Sequence, residues 1–369
     1  MIENKKIMMV ATTDNMIWQF LLPHIKHLQD LGNKVECVCD KTGFWFDELQ
    51  DKYGLKMHQI SFARNPLSLK NLKGYKELKK LQKQEKYDLV YCQQPVGGLM
   101  GRLIAKKFKL PCIYTAHGFH FFKGNSKIKN FIFRNVEKYL SKYTDILVTI
   151  NEEDYQAALS FKAKKVYKIS GIGFDGNKYP ETKTRSEIRK ELGLKDEFVL
   201  LTVAEFIKRK NYDTMLRTIA ELKEENIKFL VCGTGRDKEE IEKLIKDLKI
   251  ENKVSLLGYR KDINNVMTAA DAFFLASHQE GLTLSIIEAL NFGLPVITSN
   301  VRGNQDLVED AQGGIVCSEN DYKTFAQKIK ILLNDKDMQK SMSKINKENA
   351  KQYSISNVKK ELEEIYKEF

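Results

Sequence analysis

Along this 369-residue chain, short β-rich runs alternate with amphipathic helical patterns, and the alternation occurs twice, on either side of a glycine-rich break. Strands that alternate with helices pair in parallel, because each return crosses over the sheet. The first round has strand-like runs near Lys6–Thr12, Lys34–Cys39, Lys56–Ser61, Asp88–Cys92, Cys112–Ala116 and Asp145–Ile150. An amphipathic helix is expected from Ile17 to Leu31, stopped by Gly32-Asn33. The break is Gly171-Ile-Gly173-Phe-Asp175-Gly176-Asn177, a hinge candidate. Beyond it come runs at Phe198–Val203, Lys228–Cys232, Val254–Leu257, Ala272–Leu275 and Pro295–Thr298. The expected fold class is α/β, with two Rossmann-like doubly wound domains at 1–175 and 176–351.

Charge separates the halves. Residues 1–180 hold 30 Lys+Arg against 17 Asp+Glu, net +13, whereas 181–369 hold 31 against 32, net −1. A one-sided basic excess suits an anionic surface, phospholipid headgroups or nucleic acid. No nucleic-acid reading motif accompanies it, so nucleic acid is the poorer choice. The patterns at Leu69–Leu81 and Ile128–Tyr143 are both basic and apolar. Each is compatible with a stripe packed on the sheet beneath solvated lysines, or with a helix lying on an anionic bilayer. No apolar run nears the roughly eighteen residues of a membrane span, and the start reads as a first strand rather than a signal peptide, so a cytoplasmic protein is expected. Six cysteines without CxxC or zinc spacing read as buried free thiols.

The stretch Glu280-Gly-Leu-Thr-Leu-Ser-Ile-Ile-Glu288 carries the chemistry. It places one carboxylate in a loop after a strand and the other about one and a half turns into a helix. The first-turn N–H groups between them suit an anion such as a phosphate. Both glutamates also admit a plain reading, one in a surface loop and one on a solvated helix face. Lys208-Arg209-Lys210 follows the first strand of the second half, where cations fit a diphosphate or form an exposed basic loop. Gly233-Thr-Gly235 opens a helix and is weak evidence of nucleotide binding by itself. His117 follows the strand ending at Ala116, at the strand end where α/β sheets bind ligands, although a lone histidine is more often structural. His117 with His120 lacks a third metal ligand, and Asp335-Lys-Asp337 lies in a charged loop, so no metal is expected.

These residues resemble the retaining family 4 glycosyltransferases of the GT-B fold, in particular the subgroup that builds bacterial capsule and exopolysaccharide. The resemblance rests on Thr115-Ala-His-Gly-Phe-His-Phe-Phe-Lys-Gly124, Ile150-Asn-Glu-Glu-Asp154, Gly171-Ile-Gly-Phe-Asp175, Leu257-Gly-Tyr-Arg260, Glu280–Glu288 and Gly303-Asn-Gln-Asp-Leu307. It implies two domains facing a cleft, with a C-terminal helix, 352–369, returning to the first domain. It further implies that Glu280 holds the donor sugar's hydroxyls and Glu288 the ribose diol. Gly281, Leu282, Thr283 and Leu284 would meet sugar and diphosphate through their backbone. Lys210 matches the lysine that neutralises the leaving diphosphate, His117 the histidine near the sugar's reactive face, and Tyr259 and Arg260 the stretch lining the base, with Gly233 at the donor site. The family usually has Arg where this chain has Glu205, so Lys208 or Arg209 must help Lys210. It also usually has a glycine-rich first loop where this chain has Thr12-Thr-Asp-Asn-Met16.

The expected activity is therefore a retaining, metal-independent hexosyl transfer needing no cofactor. The donor is a nucleotide-diphosphate sugar, UDP-HexNAc or UDP-hexose, and the acceptor a polyprenyl-diphosphate-linked glycan. The protein would be peripheral on the inner face of the plasma membrane, docked through its basic N-terminal half. Two other readings are a UDP-sugar epimerase of the same fold and a non-catalytic nucleotide-sugar or glycan-binding partner.

Overall fold

The computed structural model describes residues 2–43, 45–176 and 180–368. The chain forms two compact units, Met1–Gly173 with Ile355–Phe369, and Phe174–Ser354. The chain passes between units two residues ahead of the expected 175/176 boundary and three after 351/352. Of the hinge candidate, Asn177 lies outside the described residues.

The N-terminal unit is built on seven parallel strands: β1 (Lys6–Thr13), β2 (Lys34–Asp40), β3 (Lys56–Gln59), β4 (Leu89–Gln93), β5 (Cys112–Ala116), β6 (Ile146–Thr149) and β7 (Lys165–Lys168). They lie in the order β3-β2-β1-β4-β5-β6-β7. Helices cover both faces, so β1 is buried along almost its whole length and reads as one apolar run rather than an alternation. The second unit has six parallel strands, β8 (Phe198–Val203), β9 (Ile227–Cys232), β10 (Val254–Gly258), β11 (Ala272–Leu275), β12 (Val296–Ser299) and β13 (Gly314–Cys317), in the order β10-β9-β8-β11-β12-β13.

Two strands escape the sequence pattern, and both are edges. β7 has a lysine at each end and only half-buried residues between, the profile of a protected edge strand. β13 begins at the second glycine of Gln312-Gly-Gly, which reads as a turn. The helix expected over Ile17–Leu31 is divided instead. A π-helical turn, Ile17–Leu21, precedes the α-helix Leu22–Asp30. Pro23 lacks the N–H that would continue an α-helical ladder, and the wide turn takes up the mismatch.

The helix Ile355–Tyr366 completes the N-terminal unit, burying Val358, Leu362, Ile365 and Tyr366. Ile2 N–H donates to the Tyr366 carbonyl at 2.9 Å, and Glu361 accepts from both N–H and hydroxyl of Ser170 at 2.7 Å.

The helix Lys127–Leu140 is inverted. Its inward side carries Asn130, Phe133, Glu137 and Leu140. Glu137 takes a bidentate pair, 2.7 and 3.2 Å, from the fully buried Arg102, whose guanidinium also stacks 3.9 Å from the Tyr114 ring centroid. Ile128, Phe131, Ile132, Val136 and Tyr139 face outward, with Phe131 72% exposed. Leu67, Leu69 and Leu72, where the helix Lys70–Glu85 begins, are also exposed. Buried Asn71 holds the preceding loop, accepting from Ala63 N–H and donating to the Asn65 carbonyl, both at 2.8 Å. Both helices are crossovers that run against the strands, so their N-terminal ends lie at the sheet's carboxyl edge.

Candidate active site

In the second unit the strand order reverses between β8 and β11, and an open parallel sheet binds ligands beyond the strands' carboxyl ends at such a switch point. The loop leaving β8 runs into a 3₁₀ turn, Lys208–Lys210; the loop leaving β11 carries Glu280. Here the two meet. Lys210 Nζ donates to Glu280 Oε1 at 2.7 Å and Arg209 Nη1 to Oε2 at 2.5 Å. Arg209 also donates to the Gln279 carbonyl at 2.8 Å, and its own carbonyl accepts from His278 N–H at 2.9 Å. The Glu280 residue is only 5% exposed, so it is not a surface-loop glutamate. Burial by itself would raise its carboxyl, but Lys210 and then Arg209 outweigh burial and hold it below the ordinary carboxylate range. Arg209 remains part-exposed, leaving guanidinium surface for a further anion.

The next stretch leads into the helix Leu284–Asn291, which contains Glu288 one and a quarter turns in. Thr283 precedes it but does not cap it with its side chain. Its hydroxyl donates instead to Asn304 Oδ1 at 2.7 Å; Asn304 Nδ2 reaches Thr298 Oγ1 at 2.9 Å, and Thr298 reaches the Leu275 carbonyl at 2.9 Å. This buried chain fixes the helix start to the ends of β11 and β12. Arg302 Nε donates to the Glu280 carbonyl at 3.0 Å. Gly303 sits at φ +79°, and a Cβ there would lie 2.1 Å from the Gly281 carbonyl oxygen, so the loop presses on the Glu280–Leu284 backbone only because residue 303 is glycine. Arg302 was missed from the sequence, where it reads as a surface cation. Gly303-Asn304 was visible there as a match without a role.

The other expected donor residues share this edge. Gly233 N–H donates to the Gly258 carbonyl at 2.9 Å, and a Cβ on Gly233 would come within 1.9 Å of the Ala204 carbonyl oxygen, so this glycine is required for the loops after β8, β9 and β10 to close up. Tyr259, following β10, is 68% exposed, and Arg260 is held by Asp262 at 2.6 and 2.8 Å. Lys208 turns away from Glu280 and pairs with Glu240 at the surface. Gly281, Leu282 and Leu284 are partly buried in the loop and first turn.

In the N-terminal unit, His117 stands just beyond β5, and its Nε2 lies 2.8 Å from Gln93 Oε1 at the end of β4. An acceptor there places the hydrogen on Nε2 and leaves Nδ1 to accept. Burial, then His24, lowers its pKa to about 4, so it is neutral at neutral pH. Gln94 holds a sparsely populated backbone, φ +63° and ψ 168°, and its side chain accepts from Thr12 N–H at 3.1 Å across the β1/β4 switch point. Nothing in the sequence marks it. Asp335 is a helix cap, accepting from Met338 N–H at 2.8 Å, while Asp337 is exposed. Among the described residues one group, Glu36, His58 and Glu85, brings three possible metal ligands together. It lies at the opposite, amino edge, and Lys6, Lys34 and Lys56 already surround Glu36 with positive charge.

Residues 6–151 match the family model for glycosyl transferase 4-like proteins, and 184–349 that for glycosyl transferases group 1. The chain is 30% identical to EpsD of Bacillus subtilis, a glycosyltransferase by its assigned name, over 98% of this chain and 96% of that protein. It therefore belongs to the family 4, group 1 glycosyltransferases. It is also 30% identical to the Escherichia coli UDP-Gal:alpha-D-GlcNAc-diphosphoundecaprenol alpha-1,3-galactosyltransferase, over 82% of this chain and 80% of that one. In fold it resembles Anabaena Alr3699/HepE, crystallised with UDP and glucose, at a TM-score of 0.84 and 18% identity, covering 99% of this chain and all of that one. That likeness establishes the GT-B architecture.

Proposed function

We propose that this protein transfers a hexosyl or N-acetylhexosaminyl group from a UDP-sugar to a polyprenyl-diphosphate-linked glycan, with retention and without a metal, in capsule or exopolysaccharide synthesis. The observation that carries the reading is the buried Lys210–Glu280–Arg209 group at the switch point of the second unit. Glu280, fixed in its ionised form, accepts hydrogen bonds from donor-sugar hydroxyls. Lys210 and Arg209 face the diphosphate, with the first turn after Thr283 beside them. Tyr259 offers a ring to the base, and Glu288 a carboxylate to the ribose diol.

In the reaction the C1–O bond to the diphosphate breaks and its electron pair leaves with UDP. The acceptor oxygen bonds to C1 on the same face, and its proton passes to the departing phosphate oxygen. Charge grows on the leaving group, so fixed cations lower the barrier. In this reading neutral His117, whose Nε2 is taken up by Gln93, accepts from a sugar hydroxyl through Nδ1.

The name of the galactosyltransferase relative supports a lipid-linked acceptor. So does the inverted helix Lys127–Leu140. No helix among the described residues is long and apolar enough to cross a membrane. Yet this one turns its apolar side outward, and among the described residues no carboxylate pairs with its Lys127, Lys129, Arg134 or Lys138. An apolar stripe flanked by uncompensated cations suits an anionic bilayer at the cytoplasmic face.

The test is mass spectrometry of products from purified protein, a panel of UDP-sugars in EDTA, and a short prenyl-diphosphate glycan. An acceptor heavier by one sugar, absent with Glu280→Gln, is expected. Conversion of the UDP-sugar without acceptor would replace this reading with an epimerase; UDP binding without any conversion would replace it with a binding partner.

A further inference from the structure

The chain has two tryptophans, and they lie face to face. Trp18, in the π-helical turn after β1, stacks on Trp45, the first residue of the helix Trp45–Asp51 after β2, with ring centroids 3.6 Å apart and planes inclined by 22°. Aromatic pairs in protein cores sit at about 4.5–7 Å, offset or edge-on. The two indoles here overlap closely enough to act as one slab. Both are only half-buried, whereas the aromatic pair at the same edge after β5, Phe119 and Phe121, is buried.

A fully buried carboxylate fixes the slab. Asp14 accepts from Asn15 N–H at 2.9 Å, from Thr42 N–H and Phe46 N–H at 3.2 Å each, and from the Thr42 hydroxyl. It thereby ties the loop after β1 to the loop after β2. Polar side chains neighbour each tryptophan in the chain: Asn15 and Gln19, which bond to each other, near Trp18, and Thr42 with the Lys41–Asp47 ion pair near Trp45. A rigid apolar plane with a polar rim is complementary to a pyranose, which presents C–H bonds on one face and hydroxyls around its edge.

Position selects which sugar. Along the sheet, β2 and β1 are separated from β5 by the order β2-β1-β4-β5. His117 therefore lies two to three strand spacings from the slab, about 10–14 Å. That exceeds one sugar ring.

We propose that Trp18 and Trp45 form an acceptor-glycan subsite that stacks a pyranose one or two residues removed from the sugar receiving the transfer. This rests on the transferase reading for the words acceptor and transfer, but the binding step is tested without it.

Because both tryptophans lie in the slab, intrinsic tryptophan emission reports this place alone. The probes are farnesyl diphosphate bearing one N-acetylglucosamine, and the same lipid bearing a galactosyl-N-acetylglucosamine disaccharide or a trisaccharide. The longer glycans are expected to shift the emission saturably, and the single sugar not to. In turnover, Trp18→Ala and Trp45→Ala are expected to lower kcat/KM for the longer acceptors about tenfold more than for the single sugar, with Trp45→Phe restoring most of the loss. No emission change with any glycan, or an equal loss for short and long acceptors, would overturn the subsite. An emission shift in a protein that transfers no sugar would leave the subsite standing and remove the transferase reading instead.

Discussion

Lys210 and Glu280 are seventy residues apart in the chain and 2.7 Å apart in space, joining the loops on the two sides of the second sheet's switch point. Both side chains are nearly buried, so neither is a passing surface ion.

Replacing Glu280 by Gln keeps the shape but strips the charge from a site holding two cations. Removing one partner of a buried pair costs about 3–5 kcal/mol in the general case. With Arg209 part-exposed and glutamine still able to accept, a loss of about 1–3 kcal/mol is expected. The variant should be folded at 25 °C with a lowered Tm, and its transfer rate down by about a hundredfold or more. Calorimetry and a turnover assay on the same preparation separate the two effects.

The three consecutive cations should divide. Lys210→Ala and Arg209→Ala are each expected to reduce kcat/KM for the UDP-sugar by about tenfold to a thousandfold. Lys208→Ala removes an exposed pair with Glu240 and should leave it within about twofold. Steady-state kinetics with the donor varied make the comparison.

Acid should weaken the N-terminal unit before it reaches the carboxylates. His24 and His117 are both lowered by burial from 6.5 to about 4. Between those values the unfolded chain takes up protons that the folded one refuses, so stability falls as pH drops from 6.5 towards 4. Each histidine contributes up to about 1.4 kcal/mol per pH unit in that window. Further down, Glu36, lowered to about 2 by Tyr87, His58 and Lys56 against its burial, loses its contribution as pH falls below the ordinary carboxylate range. Urea melts from pH 7.5 to 4.5 should show the first slope, flattened in His24→Gln.

The outward face of the helix Lys127–Leu140 is open to a direct trial. Phe131→Glu with Ile132→Glu should abolish co-sedimentation with anionic vesicles at low salt while leaving Tm unchanged, since both residues are exposed. Wild-type binding should weaken as salt screens Lys127, Lys129, Arg134 and Lys138.

The architecture was legible because parallel sheets covered on both sides leave long apolar runs, as in β1 and β8, separated by helical periodicity. Edge β7 was not, since an edge strand need not be apolar, and β13 was hidden by the glycine pair that opens it. At the site, Glu280 and the cation triplet could be picked out from residue type, but not how the triplet divides. Arg209 and Lys210 turn to Glu280 and Lys208 turns out, a difference set by a single 3₁₀ turn. Residues whose role is to hold backbone, such as Arg302, Asn304 and Gln94, carry no periodic or compositional mark. The helix at 127–140 misleads any rule that puts apolar residues inside, because Arg102 and Glu137 occupy its inner side.

The bond from Ile2 to Tyr366 has a consequence for synthesis. The second unit is one continuous stretch, Phe174–Ser354, and can fold as soon as it leaves the ribosome. The N-terminal unit, although made first, lacks the helix that covers Tyr91 and receives Ser170 until residues 355–366 emerge. The order of completion is thus the reverse of the order of translation. A nascent chain stalled just after Ser354 would carry a complete second unit and an N-terminal sheet with Tyr91 still uncovered.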